Sequence, residues 1–313
     1  MEILSQLMLD DVAKNIANNN SATISDGMAY ELENANVESK KGIINATVDH
    51  HVAAASGHLI QSELTPPISF AGCNDVFGRV FDKIFCVNLY RRQDRWYTAK
   101  KRHEFIGMKN VEQFCGIDGR VTTPLWKALG NSMFANSAYI GCVLSHLSIY
   151  RQAIDSGYDK ILIIEDDVRI HRNAQTLLKE RVEHTTYPKD WDLLHLSYIP
   201  LVDDLSMWNY GILDEVKAEP GCYKSKNLWS LMAYGISSRL MKHILAVYDT
   251  SFPMELDRFF VTNIMNMPGF VCRAFYPQLF CAEDNHSDNT NSYTPGLLAK
   301  SVDLRYSQYH DYV

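Results

Sequence analysis

The sequence lacks several features that would assign it to a specialised class of protein. No apolar run approaches the roughly 20 residues that a membrane-spanning helix needs. The opening MEIL lacks the basic and long apolar stretches of a secretory signal peptide. Its seven cysteines stand singly, without a Cys-x-x-Cys pair, and therefore do not resemble a zinc site or a disulfide framework. We therefore expect a cytoplasmic protein with reduced thiols.

Negative charge is unevenly placed along the chain. Residues 1–78 hold ten acids and three lysines, and so account for the whole formal net charge of -7. Residues 79–313 hold 27 acids and 27 bases and are neutral overall. This second part lacks the broad positive surface that duplex nucleic acid requires, which argues against nucleic acid as a partner.

The first 78 residues differ in pattern from the rest. Apolar residues at helical spacing near the start and an Ala-, Val- and Glu-rich stretch at 31–64 predict helices. We predict a helical accessory segment over 1–78 that packs on the main domain or mediates self-association, and a catalytic domain over 79–313. A poorly ordered acidic leader is the alternative for the first segment.

From residue 84 onward, short apolar runs alternate with amphipathic stretches. Strands are predicted at 84–89, 114–119, 161–164, 191–197, 229–236 and 270–276. Helices are predicted at 142–156, 174–183, 238–248 and 254–267. This alternation is typical of an α/β domain with a mostly parallel central sheet flanked by helices. The irregular stretch 198–225 suits a mobile loop over a site.

The stretch ILIIEDDV, at 161–168, carries the first functional prediction. Four aliphatic residues in a row predict a strand buried on both faces, and Glu165, Asp166 and Asp167 follow at once. Buried carboxylates need a cation, and hard oxygen ligands select Mg²⁺ or Mn²⁺. The pattern indicates a phosphate-handling metal site at the carboxyl end of a central strand. The alternative is an acidic start to a solvated loop.

Several segments, in the same order, resemble glycosyltransferase family 25, the lipopolysaccharide and procollagen sugar transferases. The clearest are VNLYRRQDR at 87–95, IDG at 117–119, GCVLSH at 141–146 and IIEDDV at 163–168. Weaker matches are WDLLHL at 191–196, AYGIS at 233–237 and PMELD at 253–257. The resemblance covers residues 82–290 approximately, and the segment before residue 77 has no counterpart in it.

The resemblance implies a glycosyltransferase A-type fold and a nucleotide-diphosphate sugar donor, a UDP-sugar in the first instance. It also implies a DXD-like motif that holds Mn²⁺ or Mg²⁺, and inversion at the anomeric carbon. The expected acceptor is a hydroxyl of a surface glycan such as lipopolysaccharide. A hydroxylated protein side chain and a modified DNA base are alternatives, and so is a non-catalytic module that binds a nucleotide sugar or a glycan.

Metal binding is assigned on this resemblance. Asp167 is expected to bind the cation directly. Glu165 is expected to reach either a metal-bound water or the ribose of the donor, and Asp166 to support its neighbours. His286 would complete the metal shell if the polar tail folds over the site; otherwise it is a surface histidine.

Donor binding is assigned to residues that follow the first two strands. Arg91, Arg92 and Arg95 are expected to meet the diphosphate or stack on the base. The alternative is a solvated basic turn, which explains Arg92 equally well. Asn88 and Asp118 are expected to bond the polar edge of a uracil. Asp118 precedes a glycine and is alternatively a turn residue.

The remaining assignments concern two helices. Ser145 and His146 are expected to border the donor site, although a histidine beside an apolar stripe is commonly a core residue. An inverting transfer needs a base for the acceptor hydroxyl, and Asp257 is the first candidate, with Glu255 as the alternative. Both acids could instead only stabilise the first turn of a helix through its dipole.

Overall fold

The computed structural model describes residues 75–123, 136–185, 187–200, 220–251, 253–283, 286–287, 292–293 and 311–313. Residues 1–74 of the predicted accessory segment lie outside the described residues, so the domain division at residue 78 stays a prediction. None of the described helices combines the length and the apolarity needed to cross a lipid bilayer.

A seven-stranded sheet forms the centre of the described part. The strands of the described residues, both in this sheet and in smaller two-stranded sheets, are in chain order β1 (Lys83–Leu89), β2 (Val111–Gly116), β3 (Lys160–Glu165), β4 (Val168–Ile170), β5 (Leu193–His195), β6 (Ile199–Pro200), β7 (Gly221–Lys224), β8 (Leu228–Trp229), β9 (Ala233–Ser237), β10 (Cys272–Tyr276), β11 (Phe280–Ala282), β12 (His286–Ser287) and β13 (Ser292–Tyr293). The central sheet has the order β2-β1-β3-β9-β5-β10-β7. Only β9 and β7 of these seven run against the common direction, which confirms a mostly parallel sheet.

Helices cover both faces of this sheet. They are α1 (Phe77–Val80), α2 (Gln93–Phe105), α3 (Ser137–Asp155), α4 (Ala174–Glu183), α5 (Ser238–Ser251) and α6 (Leu256–Phe259), with a π-helical turn at Phe260–Ile264. One hydrophobic core joins the sheet to α3, α5 and α6, and a second joins it to α1 and α4. The α/β class is therefore confirmed, with the sheet as the middle layer.

Strand β3 lies between these two cores. Ile161 and Ile163 belong to the core beneath α3, whereas Leu162 and Ile164 belong to the opposite core. All four side chains are fully buried, as predicted. Burial of each contributes about 1.5–3 kcal/mol. The strand is thus firmly anchored, and Glu165 at its end starts from a fixed backbone.

Helix α3 begins five residues earlier than the apolar pattern predicts. The side chain of Asn136 accepts a hydrogen bond from the Ala138 N–H at 2.8 Å, and so caps the helix before its apolar stripe starts. The predicted end is confirmed, because Gly157 follows the helix with a φ of +76°, in the left-handed region.

Three later elements differ from prediction. Helix α5 is capped by Ser237 rather than Ser238, since the Ser237 hydroxyl accepts from the Leu240 N–H at 3.2 Å. The strand predicted at 229–236 is interrupted near Ser230, whose φ is +79°. The helix predicted at 254–267 is α6 followed by the π-helical turn, which keeps both Phe260 and Ile264 in the core.

Candidate functional site

A cavity of about 710 Å³ opens at the carboxyl ends of β1, β2 and β3. Open α/β sheets bind their ligands at this edge. The predicted site residues that line it are Arg91, Arg95, Asp118, Ser145, His146, Glu165, Asp166, Asp167 and Asp257. The described side chains of Asn88, Arg92 and Glu255 do not line it.

Two glycines let α3 pack closely against the chain that follows β2. A Cβ on Gly119 would lie 2.2 Å from the backbone of α3, and one on Gly141 would lie 2.5 Å from the Ile117 carbonyl oxygen. The buried Ser145 hydroxyl ties the same contact, because it donates to the Gly141 carbonyl and accepts from the Ile117 N–H. This packing explains why the IDG and GCVLSH segments meet, and it places His146 on the cavity wall.

One arginine and one asparagine hold the acidic run after β3. The Nη1 atom of Arg95 lies 3.2 Å from Asp166 Oδ1 and 3.2 Å from Asp167 Oδ2. The Nδ2 atom of Asn88 donates to Asp166 Oδ2 at 2.6 Å and to the Arg92 carbonyl at 2.9 Å. Asn88 is buried, so in this structure its amide positions Asp166 instead of facing the cavity.

Negative charge outweighs positive charge around the end of β3. Burial, followed by the charges of Asp167 and Asp257, raises the pKa of Glu165 to about 8. Burial and then the Asp167 charge raise the pKa of Asp166 to about 7. Burial also raises the pKa of Asp257. Crowded carboxyl groups of this kind, all with hard oxygen donors, fit a divalent cation such as Mn²⁺ or Mg²⁺.

His146 is buried in the cavity wall and is joined to two tyrosines. Its Nδ1 atom lies 2.7 Å from the Tyr234 hydroxyl, which lies 2.6 Å from the Tyr150 hydroxyl. Its Nε2 atom lies 3.9 Å from Glu165 Oε1. Burial lowers the pKa of His146 to about 4, so the ring is neutral at pH 7. The residue is therefore both a core histidine and a cavity residue.

The predicted arginine cluster divides into two parts. Arg91 Nε lies 2.8 Å from Asp118 Oδ2, and Arg120 Nη2 lies 2.7 Å from the same oxygen. Although burial opposes it, hydrogen bonds from Arg120 and Arg91 lower the pKa of Asp118. Arg92 instead pairs with Asp94 at 2.9 Å, away from the cavity. Sequence reasoning missed Arg120, which lines the cavity.

The two candidate bases are placed differently. Asp257 lines the cavity from the first turn of α6, and its Oδ1 accepts from the Arg258 N–H at 2.8 Å. Its charge raises the pKa of Glu165, which places it within electrostatic range of the acidic run. Glu255 precedes α6 and does not line the cavity. The geometry therefore favours Asp257, and its role as a base stays a prediction.

His286 and Cys142 complete the survey of this region. The backbone of His286 pairs with Tyr293 in the β12–β13 ladder, whereas the His286 side chain lies outside the described part, so its role as a ligand stays a prediction. Sequence reasoning assigned no role to Cys142 or Tyr234. The sequence does carry a signal for Cys142, because it lies four residues before His146 and so shares one face of the helix with it.

The chain is similar to known proteins over different parts of its length. Residues 81–200 match the model of "Glycosyltransferase family 25 (LPS biosynthesis protein)", which confirms the predicted resemblance. Procollagen galactosyltransferase 2 of Homo sapiens is 32% identical over 131 residues, which are 37% of this chain and 20% of that protein. "Inactive glycosyltransferase 25 family member 3" of Mus musculus is 24% identical over 250 residues, 75% of this chain and 39% of that protein.

The chain thus spans about a fifth to two fifths of the length of these relatives. A crystal structure of a glycosyltransferase involved in the glycosylation of the major capsid of PBCV-1 is also similar. The similarity covers 67% of this chain and 95% of that one, with 9% identity and a TM-score of 0.37.

Proposed function

We propose that this protein is a metal-dependent inverting glycosyltransferase that moves a sugar from a nucleotide-diphosphate donor to an acceptor hydroxyl. The observation that carries the proposal is the meeting of the β3 acids with Arg91 and Arg95 in one cavity at the strand ends. These side chains lie within the segment that matches the family model. Carboxylates for a cation and guanidinium groups for phosphate are the two kinds of group that a sugar diphosphate requires.

The donor diphosphate is assigned to the arginine side of the cavity. Arg91 and Arg95 present planar guanidinium groups that suit phosphate oxygens. Arg95 bonds Asp166 and Asp167 in this structure, and so it would stand between the acids and a bound phosphate. We assign the donor as a UDP-sugar in the first instance, with Asp118 near the base and Glu165 near the ribose.

The residues after β3 would hold the cation. Asp167 is the proposed direct ligand of Mn²⁺ or Mg²⁺, with Glu165 beside it and with His286 as a further candidate. Such a cation would neutralise the charge that develops on the diphosphate leaving group. The raised pKa values of Glu165 and Asp166 support this assignment, because crowded carboxylates are stabilised by a shared cation.

Asp257 is the proposed base. As the acceptor oxygen attacks the anomeric carbon, the bond to the diphosphate breaks on the opposite face, and the hydroxyl proton passes to the Asp257 carboxylate. Its pKa is raised by burial, which makes the carboxylate a better proton acceptor than a solvated aspartate. It lines the same cavity as the proposed donor residues, so an acceptor bound there could reach it.

The acceptor is proposed from the activities for which the family and its members are named. The family description names lipopolysaccharide biosynthesis, so a hydroxyl of a surface glycan is the first assignment. Relatives named procollagen galactosyltransferase support a hydroxylated protein side chain as the second. A modified DNA base is the third, which the neutral charge of residues 79–313 disfavours.

A panel of nucleotide sugars tests the proposal. Purified protein is incubated with each donor and Mn²⁺, and the release of nucleoside diphosphate is measured with and without EDTA. We expect release from one donor class, UDP-sugars first, that is lost with EDTA and in Asp167→Ala. Release that is unchanged in Asp167→Ala would contradict the role of the acidic run.

A non-catalytic module that binds a nucleotide sugar is the second candidate. It is favoured by one observation, the presence among the relatives of proteins named inactive members of family 25. The same panel separates the two functions when binding is measured beside turnover. Binding of a donor without any release or transfer would support the module, whereas turnover would exclude it.

A further inference from the structure

Three different metal-ligating side chains meet on one wall of the cavity. Cys142, His146 and Glu165 each place one ligand atom so that all three atoms lie within 4.8 Å of one another. Within the described ranges, no other group of three such side chains meets this criterion. Asp167, the proposed ligand for Mn²⁺, is not a member of the group.

The fold fixes the positions of these three residues. Cys142 and His146 are four residues apart on α3, so their side chains lie on the same face of the helix. Glu165 ends β3, whose residues 161–164 are fully buried. Glycine contacts hold α3 closely against the segment that follows β2. The group is therefore held by two anchored elements, with His146 buried and Cys142 and Glu165 partly buried.

The His146 ring is oriented as in a metal-binding histidine. Its Nδ1 atom bonds the buried Tyr234 hydroxyl at 2.7 Å, so that Nε2 is directed toward Glu165. Metal-ligating histidines almost always bond a protein group through their second nitrogen, which fixes the ring and its tautomer. In the tautomer in which Nδ1–H donates to the Tyr234 hydroxyl, Nε2 is an acceptor and can bind a cation.

We propose that Cys142 Sγ, His146 Nε2 and a Glu165 carboxylate oxygen form a binding site for a borderline-soft divalent cation such as Zn²⁺. A thiolate and an imidazole favour this class of cation over Mg²⁺ and Mn²⁺, which prefer oxygen ligands alone. All three residues line the cavity, so a fourth coordination position would face its interior. Three protein ligands with one open position is the arrangement of reactive zinc sites.

The coordination step is balanced by the loss of one proton. The Cys142 thiol gives its proton to solvent as the sulfur–metal bond forms, and His146 binds as the neutral ring. Metal bonds of about 2.0–2.3 Å require ligand atoms roughly 3.3–3.8 Å apart. The present spacing, within 4.8 Å, exceeds that range by about 1 Å at most, so binding would require a shift of that size at the side-chain tips.

Co²⁺ is the probe for this site, because thiolate coordination gives an intense near-ultraviolet charge-transfer absorption. Metal-free full-length protein is titrated with Co²⁺, and Zn²⁺ is then added in competition. We expect the band in the wild type, its loss on addition of Zn²⁺ and its absence in Cys142→Ser. Cys115→Ser is the matched control, since Cys115 is a half-buried cysteine that does not line the cavity, and it should keep the band.

A second variant tests the positioning role of Tyr234. Tyr234→Phe removes only the hydroxyl that holds His146, and we expect Co²⁺ and Zn²⁺ affinity to fall about 10- to 100-fold while the band persists at saturation. Absence of a thiolate band in the folded wild type, or an equal band in Cys142→Ser, would overturn the proposal. Circular dichroism of each variant establishes that it is folded. No sugar donor is needed, so failure here is distinct from failure of the proposed transferase activity.

Discussion

Asp192 and the acids after β3 lie at strands of the same sheet, and they differ in burial and in the groups that surround them. Asp166 is buried, whereas Glu165 and Asp167 are partly exposed. Asp192 precedes β5 and is 2% exposed. It accepts from the Ser237 hydroxyl at 2.8 Å, from the Val271 N–H at 2.8 Å and from two nitrogens of Arg239. Its hydrogen bonds tie β5, β9 and the start of β10 together, which is a structural role.

The cavity acids crowd one another instead. The Nη1 atom of Arg95 lies 3.2 Å from both Asp166 and Asp167, and Asn88 Nδ2 donates to Asp166 at 2.6 Å. Burial raises the pKa of Asp166 to about 7 and that of Glu165 to about 8. The difference teaches that burial alone does not identify a functional acid. Several acids that raise one another's pKa in a cavity do point to a function, because an external cation or substrate can offset their charge.

The largest effect is expected from Asp257→Asn. If Asp257 is the base of the transfer, its loss should lower turnover by about 10²- to 10⁴-fold. Donor affinity should stay nearly unchanged, because Asp257 is assigned to the acceptor hydroxyl and not to the nucleotide or the cation. Glu255→Gln, which alters an acid outside the cavity, is the matched control. Turnover near the wild-type value in Asp257→Asn would remove Asp257 from the mechanism.

The next largest effect should be on stability. Asp192→Ala leaves the Val271 N–H and the Ser237 hydroxyl without their acceptor, and we expect the free energy of unfolding to fall by about 3 kcal/mol. Asp167→Ala should change it by no more than about 1 kcal/mol, since that acid is partly exposed. Urea unfolding measures both. An equal loss of unfolding free energy in the two variants would contradict the distinction between structural and functional acids.

The neighbouring arginines offer a matched pair. Arg91 lines the cavity and Arg92 pairs with Asp94 outside it. We expect Arg91→Ala to weaken UDP binding about tenfold or more, because the variant loses one charge-assisted hydrogen bond to the nucleotide. Arg92→Ala should leave the affinity within about twofold of the wild type, a surface change worth less than about 0.5 kcal/mol. Calorimetric titration distinguishes them, and a reversed order would contradict the placement.

The smallest effect is a pH-dependent shift in melting temperature. The Glu165 pKa rises from 4.5 to about 8 on folding, so between these values the folded state holds a proton that the unfolded state releases. Stability of the metal-free protein should therefore fall as pH rises through this window. Glu165→Gln cannot ionise, so in EDTA its melting temperature should exceed that of the wild type by about 2–4 °C at pH 8.

The same comparison at pH 5 is the control for Glu165→Gln. Glu165 is protonated there in the folded protein, so the glutamine is a close mimic and the difference in melting temperature should shrink. A difference that is the same at both pH values would show that the substitution acts through packing instead of charge.

Sequence patterns predicted the elements that depend on local chemistry. The aliphatic run of β3, the end of α3 at Gly157 and the acidic motif at the strand end all follow from residues near one another in the chain. The α/β class followed from the alternation of such elements. The prediction that this motif binds a cation is equally local, since it rests on three adjacent acids after a buried strand, and it stays a prediction.

Contacts between distant segments could not be predicted in this way. Nothing local indicates that Asn88 turns toward Asp166, or that Tyr234 meets His146, because these pairs are brought together only by the order of strands in the sheet. The reversed direction of β9 was missed for the same reason. Arg91 and Arg92 are adjacent in sequence. The turn after β1 nevertheless directs Arg91 toward Asp118 and Arg92 toward Asp94.

Calorimetric titration of UDP tests the central claim most directly, namely that the acids after β3 bind a cation that holds a nucleotide diphosphate. The titration is carried out on the wild type and on Asp167→Asn, each with Mn²⁺ and with EDTA. We expect Mn²⁺ to tighten UDP binding to the wild type by at least about tenfold, or 1.4 kcal/mol, and to have little effect on Asp167→Asn. Equal UDP affinity in all four titrations would contradict the claim.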